Sequence, residues 1–261
     1  MKKGRIVRNI ALIVASTLLP ACVGLNAAEP PSGLLQKIAK RESETARARN
    51  DYTYRQTLTV QEINDQGRVT GEYREITDVT YTPSQGRFDR VIGTPVNTLT
   101  RIKLTPQDFS DIRNVQPFLL TLGTLPLYEG KYQGEEEMDG YPCWVEYVRP
   151  KQILQGQRFF QGTLWIRQSD FSVVRTEGQA VPQIDTMTEQ NLFPHFTTLR
   201  RNIDGWFFPV ETYADDTLFF RSWPQRIRII IEYSNYKRFG TESTVTYGPS
   251  PLDQQPKNVN K

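Results

Sequence analysis

The sequence predicts a mainly β chain: about ten antiparallel strands in one long curled sheet, with two helices to cover it. Three observations predict this. Apolar and polar residues alternate with period two over most of the chain, the pattern of strands with one face buried and one wet. Asp139-Gly140 and Asp204-Gly205 sit between such runs, and both residues of each pair tolerate the positive φ that a tight hairpin needs. Only two segments switch to helical spacing, 33–49 and the stretch after Pro106.

The chain opens on a leader. Lys2, Lys3, Arg5 and Arg8 precede an uncharged apolar run, 10–19; the small residues Ala27 and Ala28 and the first acid, Glu29, follow. That order is the order of a bacterial secretory signal. The run is shorter than the ~20 residues of a permanent span. Residues 1–28 are expected to direct export, residues 29–248 to form the folded domain, and 249–261, rich in proline, to be a disordered tail. Leu19-Pro20-Ala21-Cys22 is similar to a lipobox, where a cut before residue 22 leaves an acylated N-terminal Cys22 that tethers the chain to a membrane. The rival cut, after Ala27 or Ala28, leaves a soluble periplasmic protein. Both stay open at the level of sequence.

In the helical segment 33–49, Leu34, Leu35, Ile38 and Ala46 fall on one side and Lys37, Arg41, Glu44 and Arg47 are polar. The stripe is narrow and predicts a helix lying on a surface rather than inside a core. Tyr52, Tyr54, Leu58 and Val60 then alternate with threonines and Arg55; Asn64-Asp65-Gln66-Gly67 turns the chain, and 73–81 and 87–92 continue the meander. Thr105 can cap a helix, Pro106 suits its first position and Asp108 its first turn. Phe109, Ile112 and Val115 share one side of that helix, which Pro117 should end or kink. Strands resume at 128–137, 141–148, 159–167, 171–177, 196–203, 206–214 and 226–236, with 179–191 as a polar loop and Asp215-Asp216 as a break or bulge.

Composition narrows the function. The chain carries 32 Lys and Arg against 29 Asp and Glu, but without the four leader bases 28 face 29, so no basic footprint for nucleic acid survives. Of the two cysteines, Cys143 has no partner once Cys22 is acylated or removed; between Pro142 and Trp144 it reads as a small buried hydrophobe. His195 is the single histidine, and no Gly-x-Ser-x-Gly elbow accompanies it. One histidine and one mature cysteine make a poor zinc set. Paired acids at Glu135-Glu136-Glu137 and Asp215-Asp216 could in principle hydrolyse glycosides, and Trp144, Trp165, Trp206 and Phe208 could stack on sugars, but solvated acids and core aromatics are the simpler readings. No cofactor, metal or catalytic set is expected.

A sheet of this length must curl or close, and its inner face needs apolar cover. Within it, 138–145 (Met-Asp-Gly-Tyr-Pro-Cys-Trp-Val), 162–166 (Gly-Thr-Leu-Trp-Ile) followed by 171–175, and 206–211 (Trp-Phe-Phe-Pro-Val-Glu) occur in an order that resembles the LolA/LolB-like superfamily of outer-membrane lipoprotein-sorting proteins. The resemblance implies an open antiparallel half-barrel with helices over a concave apolar face, and a non-enzymatic, monomeric envelope protein that buries lipid acyl chains or acylated lipoproteins. A non-catalytic interaction or sensor lipoprotein is the alternative. Period-two counting assigns Leu164, Ile166, Trp206, Phe208, Val210, Ile227, Ile229 and Ile231 to the ligand cavity, and helical spacing gives Phe109, Ile112 and Val115 as the lid.

Intact mass of protein recovered from its own envelope checks the leader. The expected mature start is Cys22, with added acyl mass, or a residue beside Glu29; a retained Met1 would overturn it.

Overall fold

The computed structural model describes residues 30–82 and 86–239. The leader, Cys22 and the tail 249–261 lie outside the described residues. One antiparallel sheet dominates. Its strands are β1 Tyr52–Ile63, β2 Val69–Thr82, β3 Gly86–Val91, β4 Val96–Asn97, β5 Tyr128–Met138, β6 Tyr141–Pro150, β7 Phe159–Arg167, β8 Val173–Val181, β11 Phe196–Ile203, β12 Trp206–Phe219 and β13 Pro224–Arg238; β9 Ile184–Asp185 and β10 Gln190–Asn191 form a separate small hairpin. The helices are α1 Leu34–Arg49 and α2 Pro106–Asn114. The sheet order is β3-β2-β1-β13-β12-β11-β8-β7-β6-β5, with β4 paired to β2 off this path. The last strand thus returns beside the first, and the sheet stays open with β3 and β5 as its edges. This is the expected curled half-barrel, mainly β.

Local chemistry accounts for the turns and the curl. Asp139 and Gly140 (φ 54° and 80°) and Asp204 and Gly205 (φ 52° and 88°) adopt the left-handed conformation that their sequences favour. Gly162 lies directly opposite Gly178 on β7 and β8, and a Cβ on either would fall within 3 Å of the facing strand's backbone. Only glycine lets the two strands approach this closely. The edge strands are short or heavily charged, which discourages pairing with another chain.

Alternation holds along β13: Ile227, Ile229, Ile231 and Tyr233 are buried on the inner face while Arg226, Arg228 and Glu232 point out. A smaller cluster of Cys143, Val145, Trp165, Val174 and Phe207 packs apart from the main core. Three expectations need correction. α1 is not a surface helix: Leu34, Ile38, Ala39, Glu42 and Thr45 are all buried. Its buried side is wider than its apolar stripe because Glu42, polar in sequence, is neutralised inside. β12 runs unbroken through Asp215 and Asp216, whose carboxylates are satisfied by arginines and backbone N–H groups. Phe171 is not in a strand; it takes φ 62° in the turn before β8 and stacks on Trp144 at 5.1 Å.

Between β4 and α2 the chain crosses the inner face as a strap, 98–104. Glu62, fully buried on β1, holds it: its carboxylate accepts backbone N–H groups of Thr100 (3.0 Å), Arg101 (2.6 Å) and Ile102 (2.6 Å) and the Thr100 hydroxyl. Burial alone would raise the Glu62 pKa, but these donors outweigh it and hold the carboxyl below the ordinary carboxylate value. Gly71 beside it gives the strap room, since a Cβ there would lie 2.7 Å from the Thr98 carbonyl oxygen.

The Glu62→Gln variant should lose about 2 kcal/mol at pH 7, because one carboxylate oxygen that accepts becomes an amide that donates against donors. A depressed pKa stabilises above the unfolded value and is lost as pH falls, so the deficit should shrink by pH 3. Urea unfolding at both pH values checks this.

The concave face, its roof and a candidate ligand site

The inner face is the candidate site, and its roof is assembled from α1, the strap, α2 and the segment 115–127. α2 starts with the expected cap: the Thr105 hydroxyl accepts the Asp108 N–H, and the Asp108 carboxylate accepts the Thr105 N–H. It ends at Asn114, before Pro117. Of the expected lid residues, Ile112 and Val115 are buried in the main core, and Phe109 packs at its edge with its ring 5.7 Å from Tyr73.

The expected cavity residues do not all stay together. Leu164, Ile166, Ile227, Ile229 and Ile231 meet in the same core cluster as Ile112 and Val115. Phe208 is buried but belongs to an aromatic stack beyond that cluster, edge-on to Tyr52 at 5.0 Å and stacked on Tyr236 at 5.4 Å. Trp206 lies half-buried with the Arg41 guanidinium of α1 over its ring at 4.4 Å. Val210 joins none of these. The register pairs Leu199 with Glu211 and Arg200 with Pro209, which leaves Val210 in a bulge. Proline has no N–H to give the ladder, so period-two counting fails at this point.

Polar latches fasten the roof. Arg200 on β11, 1% exposed, donates to the Glu42 carboxylate of α1 at 2.8 Å and to the Phe118 carbonyl after α2. Burial pushes the Glu42 carboxyl above its ordinary value, against the pull of Arg200. Next to it the Thr198 hydroxyl donates to the Gln116 carbonyl at 3.0 Å. Asp111 of α2 pairs with Arg158 of the β6–β7 connection at 2.7 Å, both side chains almost wholly buried. Asn191 donates to both Thr105 and Asp108 at 3.0 Å. These residues escaped the sequence reading because each is an ordinary polar side chain until its distant partner is known.

Two spaces open beside the roof. The smaller, about 60 Å³, lies among Val60, Ile102, Leu104, Ile112, Ile227 and Ile229. That is room for a few waters, not for a ligand, so the inner face is closed by its own side chains. The larger, about 420 Å³, lies among α1, β3, the end of α2 and the start of β7. Arg87 and Tyr128 both line it, so it sits at the seam between the two open edges of the sheet. It shares Val115 with the expected lid and no residue with the expected cavity set.

The residues with candidate chemistry are otherwise engaged. Hydrogen bonds from Arg226, with Arg228 beside it, hold the Asp215 carboxyl at about 2, so it keeps no proton to give a leaving group. Burial pushes the Cys143 thiol up to about 11, the reverse of activation. Trp165 donates its indole N–H to Glu136 at 2.8 Å.

Glu146 is the acid with a titration of interest. It is buried on β6 beside Leu35 of α1, and burial pushes its carboxyl up to about 7. Between the ordinary value of 4.5 and 7 the folded chain holds a proton that the unfolded chain has released, so stability should fall as pH rises through that window. Glu146→Gln should abolish the fall and be more stable than the parent at pH 8, by on the order of 2 kcal/mol, with no gain at pH 4. Thermal unfolding across pH 4–8 measures this.

No family model and no curated protein matches the chain. Among solved structures it is similar to a LolA superfamily protein from Nitrosomonas europaea, at 13% identity over 79% of this chain and 94% of that one, with a TM-score of 0.39. It is also similar to a DUF1329 family protein from Desulfovibrio piger, at 15% identity over 80% and 93%, TM-score 0.38. An outer membrane lipoprotein-sorting protein domain from Vibrio parahaemolyticus follows at 11% identity over 78% and 93%, TM-score 0.35. The superfamily named first is the one that the hairpin motifs of this sequence resemble, but TM-scores below 0.5 assign no function.

Proposed function

We propose that this chain is an exported envelope protein that buries lipid acyl chains, free or attached to lipoproteins, against the concave face of its half-barrel. The observation that carries the reading is the inner face itself. It carries one contiguous apolar cluster, set between a few buried polar latches, and it is covered by segments that take no part in the main sheet ladder. A roof held by a few side-chain latches can lift without breaking the sheet. Each acyl methylene buried in its place would contribute ~0.8 kcal/mol before the ordering costs.

The mouth of the small space fits this use. Leu218 near the end of β12 and Phe220 in the turn after it line it. Beside them Phe219 (77% exposed), Trp223 (41%) and, on the β9–β10 turn, Met187 (94%) stand in solvent, with Arg221 among them. Exposed aromatics next to arginine suit the interface of a bilayer, where rings meet headgroups. Tethering through an acylated Cys22 would hold that tip near a membrane. The function is non-enzymatic on this reading, because burial replaces bond making, and the protein acts as a monomer in the periplasm or at the outer membrane.

Uptake of a fluorescent fatty acid tests the proposal. The parent should bind it, and Ile229→Glu should lose most of the uptake. Hydrogen exchange over 109–120 should change on binding if α2 and its tail form the lid. Unchanged uptake in an Ile229→Glu protein of unchanged stability would overturn the cavity assignment. If no lipid binds the parent, the interaction or sensor reading takes its place.

A further inference from the structure

The 420 Å³ cleft at the seam has a composition that acyl burial does not require. Four arginines line it: Arg49 at the end of α1, Arg87 on β3, Arg113 on α2 and Arg158 before β7. Two carboxylates answer them. Asp111 is taken by Arg158 at 2.7 Å. Asp89 is shared, at 2.7 Å from Arg87 and 3.0 Å from Arg113. Arg87 also donates to Gln56 at 3.0 Å and to the Arg113 carbonyl at 3.4 Å. Arg49 pairs with no carboxylate among the described residues; its guanidinium lies over the Tyr81 ring at 4.3 Å, and its Nε is buried without a hydrogen-bond partner. Glu42, the acid within electrostatic reach of Arg49, is spent on Arg200. The Nε of Arg158 is likewise buried and without a partner, in a side chain only 4% exposed. Four cations therefore face two anions in a concave, partly dry space, an arrangement that concentrates positive potential.

The floor is apolar. Phe118 and Phe160 stack at 4.7 Å, and Val115, Leu119 and Phe159 extend the surface. The volume lies in the range of small-molecule sites. Guanidinium groups bind phosphate oxygens through pairs of N–H donors, and a hydrocarbon segment next to the phosphate would cover the rings. We infer that this cleft binds a phosphate-bearing anion, the phosphate on Arg49 and Arg113 and any attached apolar group on Phe118 and Phe160. The site shares no lining residue with the space at Ile227 and Ile229, so the inference stands apart from acyl burial on the concave face.

Calorimetric titration of the full mature chain tests it with three probes: inorganic phosphate, dihexanoyl-phosphatidylglycerol below its micelle concentration, and octyl glucoside as a phosphate-free amphiphile. Both phosphate probes should bind, more weakly as salt rises, and octyl glucoside should not compete with them. Phosphatidylglycerol binding at least tenfold tighter than phosphate identifies a lipid headgroup as the ligand, whereas equal affinities identify free phosphate. An Arg49→Gln, Arg113→Gln protein that stays folded by circular dichroism should lose at least tenfold for both phosphate probes. Equal binding of all three probes, absence of phosphate binding, or undiminished phosphate binding by the folded double variant would each overturn the site. Should that variant fail to fold, the comparison of the three probes on the parent protein decides by itself.

Discussion

The structure depends on Arg200. A single side chain on β11 reaches both halves of the roof, through Glu42 of α1 and the Phe118 carbonyl after α2. Both charges are out of water, so neither tolerates the loss of the other. Removing one partner from such a pair typically costs about 3–5 kcal/mol, while the intact pair adds little beyond a hydrophobic substitute. Its consequence here is positional. It fixes where two otherwise independent helical segments lie on the sheet, and it explains why a helix with a thin apolar stripe is buried across Glu42 and Thr45.

The same economy recurs around the rim. Glu62 secures the strap with one carboxylate, Asp111 and Arg158 tie α2 to the β6–β7 connection, and Asn191 clasps the cap of α2. Between these latches the contacts are apolar and non-directional. A roof built in this way separates two jobs. On the proposed reading, side chains of the sheet supply the surface that an acyl chain would cover, and a few polar contacts hold the roof over it. Glu146 adds a group beneath α1 whose charge state changes near neutral pH.

Much of the fold could be read along the chain. Alternation placed the strands within a few residues, the two Asp-Gly pairs placed their hairpins, and Thr105, Pro106 and Asp108 placed the start of α2. Reading failed where a distant group overruled a local pattern. Glu42 and Thr45 look solvated until Arg200 is set beside them. Asp215 and Asp216 look like a break in β12 until arginines on β13 and the His195 N–H satisfy them. Val210 should have faced inward with Phe208, but Pro209 withholds an N–H and the register slips. Of the candidate cavity, the aliphatic residues on β7 and β13 do come together; Trp206 and Val210 lie apart from them.

By itself the sequence determined the class of structure, because burial of one face with period two and the φ demands of tight turns are local properties that each segment carries alone. Tertiary structure decided the pairing of the first strand with the last, the closure of the inner face, and the gathering of Arg49, Arg87, Arg113 and Arg158 around one cleft. Those four arginines span more than a hundred residues with no common spacing, and each resembles any surface arginine in its own neighbourhood. Charge acts through space rather than along the chain, so their shared site exists only once the two edges of the sheet have been brought around to face it.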